Sequence, residues 1–365
     1  MSDYVVSADP GNGGTNAVLA LTGRSAGNGK GYKSVYFPSV RAAATGDSLG
    51  LGKGLEMDYE YVDWGGHRYV VGEDVLTVTR RHLERHTGIN RYGNELHRFL
   101  TAVALARLGV SKGKVDLTLF APPGMYLDAQ QAIHHNFLDK EGKVAIKLKG
   151  DSKPRVWCYE RIRVWPEGIG AAACFVLDDT GKAANTDILS GDTVILDMGA
   201  YTLDALKMND GSFNPESLEH ATWESGGVMT HLLEPILKQI RKQGADFDLL
   251  TTDDIDRIIR QGLASGDYTL KVAGHTVDLT ALVAKYRERY AGWIANNIAD
   301  GVFAGFRGIK SVILVGGGAL LVEDFLQQWY PGKVLERKKH PTTKKIHPVD
   351  FNCVGGLRLA LADMG

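Results

Sequence analysis

Two stretches decide the fold: VVSADPGNGGTNAVLAL (residues 5–21) and TVILDMGAYTLDALKM (residues 193–208). Each reads as a strand of apolar and β-branched residues ending in aspartate, then a glycine-bearing turn with a threonine, then a second strand. An aspartate at the end of a buried strand, Asp9 or Asp197, presents its carboxylate at the sheet edge. The glycines after it let backbone N–H groups approach an anion closely. N–H groups and threonine hydroxyls in such turns cradle phosphate oxygens. Carboxylates repel bare phosphates, so the combination implies a bridging cation, and hard oxygen ligands with phosphate select Mg2+ with its waters retained. A single Asp-x-Gly turn is an ordinary hairpin loop, because both residues favour turns. Two in matched context form a weak internal repeat and predict two similarly built α/β domains facing one another across a cleft.

Outward from the hairpins, strand-like runs are expected at 35–37, 61–63, 68–71, 115–124 and 155–165, with a loop over 41–54 (RAAATGDSLGLGKG). Helical spacing over 94–108 gives a stripe of Leu96, Phe99, Leu100, Val103, Ala104 and Leu108. Further helices are expected at 127–138, 168–177, 228–243, 279–303 and 354–363. TTDDIDRIIRQG (251–262) opens on a Thr/Asp cap and adds one more. In VILVGGGALLVEDFL (312–326), Gly316, Gly317 and Gly318 separate a strand from a helix, where backbone lets a flat ring or a ribose rest on it. Gly226 and Gly227, ahead of the 228–243 helix, are candidates for the opposite wall of that pocket. Loop glycines also cap helices, and the pattern alone leaves both readings open. Glu167, in Trp165-Pro166-Glu167-Gly168, stands at a strand-to-helix junction. There it can orient a water for in-line attack on a terminal phosphate, or interact with a helix dipole.

The 365 residues correspond to about two domains. With 42 Lys+Arg against 43 Asp+Glu, the net charge of -1 gives no whole-molecule attraction to nucleic acid or anionic membrane. Apolar residues at 44% and charged ones at 23% describe an ordinary packed chain and exclude disorder or a collagen-like fold. No apolar run reaches a membrane span's ~20 residues. The MSDYVVSADP start lacks the basic and apolar regions of a signal peptide, so a cytoplasmic location is expected. Cys158, Cys174 and Cys353 lie far apart without a CxxC pair, which fits core packing in a reducing compartment. The 44 glycines, about 12% against ~7% on average, cluster beside the short strands. Neither GxxxxGK[ST] nor GxGxxG occurs, which argues against a Walker P-loop and a dinucleotide fold; HExxH is absent too. The basic clusters Arg80, Arg81, His82, Arg85, His86 and Arg337–Lys339 with Lys344 and Lys345 read as solvated surfaces or as filament or adaptor contacts.

The order of these elements resembles the actin-like ATPase superfamily shared by actin, the seventy-kilodalton heat-shock chaperones and sugar kinases. Asp9–Asn16 resembles the first phosphate motif, 165–176 the first connecting helix and 194–204 the second phosphate motif. Residues 312–326 resemble the adenosine motif and 353–361 the second connecting helix. Within the superfamily the chain is most similar to ParM-type plasmid-segregation actins. The resemblance implies two actin-like (ribonuclease H-like) α/β domains flanking a nucleotide cleft, each with a small inserted subdomain. Their expected bounds are 1–187, with an insertion at about 39–93 and the C-terminal segment of about 340–365 returning to it, and 188–339, with an insertion at about 244–280.

The resemblance further implies ATP or ADP with Mg2+ as cofactors. Asp9 and Asp197 would hold the metal through water and Glu167 would activate the attacking water, these three being the catalytic set. Gly11, Asn12, Gly13, Gly14, Thr15 and Asn16 would line the first phosphate turn, and Gly199, Ala200, Tyr201 and Thr202 the second. Gly226, Gly227, Gly316, Gly317 and Gly318 would border adenosine. Two departures weaken individual contacts: Asn16 stands where several relatives have lysine, and Met198 with Ala200-Tyr201 replaces the commoner glycine-richer pattern. The implied activity is ATP hydrolysis coupled to self-assembly into filaments. Its purpose would be plasmid or phage DNA segregation through a DNA-binding adaptor, without direct contact to nucleic acid or membrane. The alternative is a small-molecule, sugar-type kinase of the same fold, which needs a second pocket and a base that the small insertions do not offer.

Overall fold

The computed structural model describes residues 2–21, 31–44, 59–78, 83–85, 89–138, 142–214, 218 and 221–364, with the backbone alone at 77, 78 and 89. The chain is mixed α/β and divides into two compact units, one running to Thr186 and resuming at His340, the other Asp187–Lys339.

The first unit contains β1 (Tyr4–Pro10), β2 (Gly14–Ala20), β3 (Tyr32–Pro38), β4 (Arg41–Ala43), β5 (Tyr61–Trp64), β6 (His67–Val71) and α1 (Glu73–Val78). After them come α2 (Glu95–Leu108), β7 (Lys112–Ala121), α3 (Tyr126–Phe137), β8 (Lys143–Leu148), β9 (Arg155–Pro166) and α4 (Ile169–Val176). A C-terminal helix, Phe351–Ala362, completes it. β1, β2 and β3 form an antiparallel meander, while β7 runs parallel to β1 and β9 parallel to β7. The strand order is β3-β2-β1-β7-β9-β8-β5-β6-β4.

α2 forms where its apolar stripe requires it. Asn94 caps it by accepting from the His97 N–H at 2.9 Å, and Gly109, at φ 102°, ends it. Its buried Leu96, Phe99 and Val103 share a core with Val6 and Ala8 of β1 and Ala17 of β2. Ser7 alternates with Val6 and Ala8, so it faces the opposite side of the sheet, where the C-terminal helix packs against β1, β2 and β7. That helix also lies against α4 at backbone distance: a Cβ at Gly355 would fall 1.6 Å from the Gly170 carbonyl oxygen.

Two details of this unit depart from the sequence expectation. The start of the 41–54 loop is instead β4, paired antiparallel with β6, while 45–54 lie outside the described residues. The cause is Arg41, only 4% exposed, whose guanidinium is bound by Glu84 and Glu95 and lies 4.1 Å from the Tyr69 ring centroid. β8, which pairs with β9 and β5, had no sequence counterpart. Of the first basic cluster, only Arg85 is among the described residues.

The second unit contains β10 (Asp192–Met198), β11 (Leu203–Asn209), β12 (Thr222–Trp223), α5 (Glu234–Arg241), α6 (Thr252–Ser265), and a separate hairpin of β13 (Thr269–Val272) and β14 (His275–Asp278). α7 (Thr280–Ile294), α8 (Gly301–Phe303), β15 (Ile309–Val315) and α9 (Ala319–Trp329) follow. Its main sheet runs β12-β11-β10-β15, with β15 parallel to β10. Thr251 and Asp254 form the expected reciprocal cap of α6, Thr251 N–H donating to Asp254 Oδ2 at 2.9 Å. The helix expected at 279–303 is broken: α7 passes into a π-helical turn at Ala295–Asp300 before α8. Another π-helical turn, Met229–Leu233, leads into α5. Leu196, Leu203, Leu232, Ile236, Tyr290 and Ile294 belong to this unit's core. Among the described residues no helix is long and apolar enough to cross a membrane.

Candidate functional site

Both Asp-bearing turns close in the same register. In the first unit Asp9 pairs with Asn16 and Pro10 with Thr15, leaving Gly11–Gly14 as the connection. In the second unit Asp197 pairs with Asp204 and Met198 with Leu203, leaving Gly199–Thr202. Each aspartate thus sits one pair before its hairpin closes, followed by a four-residue turn. Each hairpin's first strand also has a parallel neighbour, β7 or β15.

In the first unit, burial pushes the Asp9 carboxyl up, opposed by the positive charge of Arg91 and a hydrogen bond from Asn352. Asn352 belongs to the C-terminal helix, and its Oδ1 also accepts from the Gly168 N–H at 2.9 Å. It therefore joins Asp9 to the junction that carries Glu167. Glu167 follows directly on β9, its N–H donates to the Ala121 carbonyl at 2.8 Å, and its side chain is half-buried. Gly168, at φ 94°, turns the chain into α4 in a conformation that a side chain would strain. The sequence expectation thus brings Asp9, Glu167 and Gly11–Gly14 into one unit, but Thr15 and Asn16 point elsewhere. Thr15 is fully buried with its hydroxyl bonded to Ser39 at 2.9 Å. Asn16 donates from Nδ2 to the Val349 carbonyl and to Asp350 Oδ1, both at 2.7 Å. Their side chains are committed to the frame of the hairpin rather than to its turn.

In the second unit the glycine elements form one cluster. The Gly227 N–H donates to Tyr201 O at 3.0 Å, Val228 N–H to Gly199 O at 3.1 Å, Met229 N–H to Ala200 O at 2.7 Å, and Gly318 N–H to Met198 O at 2.9 Å. The contacts are too close for side chains. A Cβ on Gly227 would meet the Tyr201 carbonyl carbon at 2.3 Å, and one on Gly316 the Asp197 Oδ1 at 2.6 Å. Gly226, Gly227, Gly316 and Gly318 are therefore demanded by protein packing around the second turn, while Gly317 is exposed. Asp204 is buried and accepts from the Thr202 and Thr222 hydroxyls, so Thr202 Oγ1 is engaged within its own hairpin. Behind the cluster, the Tyr290 hydroxyl donates to Gly226 O at 2.8 Å. Burial and the Asp197 charge both raise that phenol's pKa, so it remains a donor. His231, on the π-helical turn, stacks on Tyr290 and contacts Trp293 at 4.3 Å between centroids.

The geometry adds residues that sequence reasoning passed over. Asn352 and Tyr290 act through positions far along the chain, and no local pattern marks them. Arg91 lies in a short 3-10 turn before α2 and is 6% exposed. Its sole sequence signal is an arginine just ahead of a helix otherwise lined by apolar residues.

Comparison with known proteins fits this architecture. Residues 7–170 match the family model for the actin like proteins N terminal domain, and residues 195–328 match that for the archaeal actin homologue MreB-like C-terminal region. The chain belongs to the actin-like protein family. Among solved structures, this actin-like chain is similar to Ta0583, an archaeal actin homolog, in its native form, at 20% identity and TM-score 0.75 over 100% of each chain. The ADP complex of Ta0583 is 19% identical with TM-score 0.70 over 99% of each chain. Bacillus thuringiensis ParM with ATP is 15% identical with TM-score 0.70 over 100% of both chains. At these identities the likeness shows a shared fold. No curated protein sequence matches the chain.

Asp9 and Asp197 each bring a carboxylate, an oxygen donor of the hard type, to the end of a strand. Among the described residues no group of three or more His, Cys, Asp or Glu side chains is placed to hold a metal.

Proposed function

We propose that this actin-like protein binds ATP and ADP with Mg2+, hydrolyses ATP, and assembles with copies of itself into filaments that hydrolysis destabilises. Plasmid or phage DNA segregation, through a separate DNA-binding adaptor, is the purpose that fits the similarity to ParM. The observation that carries the reading is the shared register of the two turns, with Asp9 and Asp197 each one pair before a four-residue connection. The neighbours add weight: Ta0583 is described in complex with ADP and Bacillus thuringiensis ParM with ATP. A pCBH ParM, 20% identical with TM-score 0.71, is described as a non-polymerisable quadruple mutant.

Backbone N–H groups of Gly11–Gly14 and of Gly199–Thr202 would take phosphate oxygens, and Asp9 and Asp197 would be the carboxylates for Mg2+. The metal supplies charge neutralisation at the transferred phosphoryl group. Glu167 orients the attacking water, a positioning role that needs no covalent step. Purified protein given ATP and Mg2+ is expected to scatter light above a critical concentration, with the signal decaying as phosphate is released. Flat scattering together with phosphorylation of an added sugar would replace this reading with the kinase.

A further inference from the structure

The first turn has a buried cation that the reading above leaves without a role. Arg91 is 6% exposed, and its Nη1 donates to Asn12 Oδ1 at 2.6 Å, at the crest of the Gly11–Gly14 connection. Its guanidinium lies 4.6 Å from the Tyr92 ring centroid. Nε is buried without a hydrogen-bond partner. Burial alone would disfavour the charge, yet neighbouring Tyr92, Glu167 and Asp9 more than offset it and hold the group protonated. The backbone that delivers Arg91 is fixed. Asn94 N–H donates to the Arg91 carbonyl at 3.3 Å, and Gly93 is pressed so closely on α3 that a Cβ would meet Ala132 O at 2.4 Å. The guanidinium is thus fixed on the crest of the first turn through Asn12, and its charge is felt by the two carboxylates placed in catalysis, Asp9 and Glu167.

We propose that Arg91 is the positioning residue of the first phosphate turn: it holds Asn12 at the crest and supplies the fixed positive charge that lets a polyphosphate approach Asp9 and Glu167. The inference rests on the nucleotide reading and deepens it. Two carboxylates facing a triphosphate place like charges together, and at low dielectric that repulsion is large. Mg2+ offsets it when present; Arg91 offsets part of it at all times. The cation therefore comes from the turn before α2, while Asn16, on the hairpin itself, is committed to Val349 and Asp350. Arg91 and metal are then partly interchangeable, which a packing role would not produce.

The test is equilibrium binding of a non-hydrolysable ATP analogue to the whole chain at low and at high Mg2+. Arg91→Met is expected to weaken binding about 10- to 100-fold at low Mg2+, the scale of a lost charge-assisted contact, and much less at high Mg2+. Arg91→Lys keeps the charge and is expected to lose only a few-fold. Asn12→Ala removes the tether but not the cation, and its loss should be the same at both metal levels. Should Arg91→Met fail to fold, the contrast between Arg91→Lys and Asn12→Ala carries the test. Analogue binding by wild type with an Arg91→Met loss independent of Mg2+, or with no loss, overturns this inference alone. Absence of binding by folded wild type overturns the nucleotide reading and this inference with it.

Discussion

Gly355→Ala tests how the first unit is held together and how that packing reaches Asp9. An alanine Cβ at 355 would lie 1.6 Å from the Gly170 oxygen and 2.3 Å from its carbonyl carbon. Carbon contacts are comfortable at about 3.5–4 Å, so the C-terminal helix and α4 must separate by roughly 2 Å. Both partners are helix backbone, with no flexible side-chain end to swing aside. Overpacking of this kind costs about 1–3 kcal/mol, and the backbone clash places it at the upper end. For a unit of about 200 residues that corresponds to a fall in Tm of roughly 6–12 °C. Asn352 lies one turn before Gly355 on the moving helix and binds both Gly168 N–H and Asp9, so nucleotide affinity should fall as well. The comparison is Gly292→Ala in α7, where a new Cβ meets nothing within 4 Å. There alanine should stabilise by about 0.5–1 kcal/mol through its helix preference. Thermal unfolding and analogue binding of the two variants, measured together, decide the matter. Wild-type Tm in Gly355→Ala would refute the close helix contact. Lower Tm with unchanged nucleotide affinity would refute the connection from that contact to Asp9.

Asp197→Ala is expected to abolish Mg2+-dependent ATP hydrolysis while the fold persists, and an unchanged steady-state phosphate-release rate would remove the second turn from the catalytic assignment. Glu167→Ala should slow hydrolysis about 10²-fold or more with little change in ATP affinity at high Mg2+, so filaments form and persist; wild-type phosphate release would refute the water-orienting role. His97 gives a pH dependence. Its ring is buried with Nδ1 accepting from the Gly93 N–H at 3.0 Å, and burial, aided by Arg91, holds its pKa down to about 3. Neutral when folded but protonated when unfolded below about pH 6.5, it contributes stability that is complete above that pH. The contribution is lost as pH falls toward 3, at up to about 1.4 kcal/mol per pH unit. Urea denaturation between about pH 7 and pH 5 should show a shallower decline in His97→Gln than in wild type, and equal slopes would refute the assignment.

The hairpins were legible because everything that defines them is local. Val6, Ala8, Asp9 and the glycines follow one another, and strand alternation with turn chemistry suffices to place them. α2 was legible for the same reason: Asn94, the apolar stripe and Gly109 are consecutive signals. β4 was not, since Arg41 is held in a strand by Glu84, Glu95 and Tyr69, partners that no window around residue 41 contains. The break after α7 was equally hidden, because Ala295–Asp300 keeps helical spacing while its hydrogen bonds shift to the π pattern.

The same distinction separates glycines that look alike in sequence. A run such as Gly316-Gly317-Gly318 suggests room left for a ligand, yet a missing side chain is equally required where two protein segments touch. Contact distance tells these apart. At Gly316 and Gly318 the space a Cβ would need is filled by Asp197 and by Met198 and Val228, so those positions brace the second turn from behind. Gly317 alone of the three is exposed. The bracing fixes the turn that follows Asp197, because the N–H groups of Gly227–Met229 and Gly318 tie down the carbonyls of Met198–Tyr201. In the first unit Asn352 and Arg91 do the equivalent work with side chains. One arrives from the far end of the chain and the other from the turn before α2, Asn352 on Asp9 and Arg91 on Asn12.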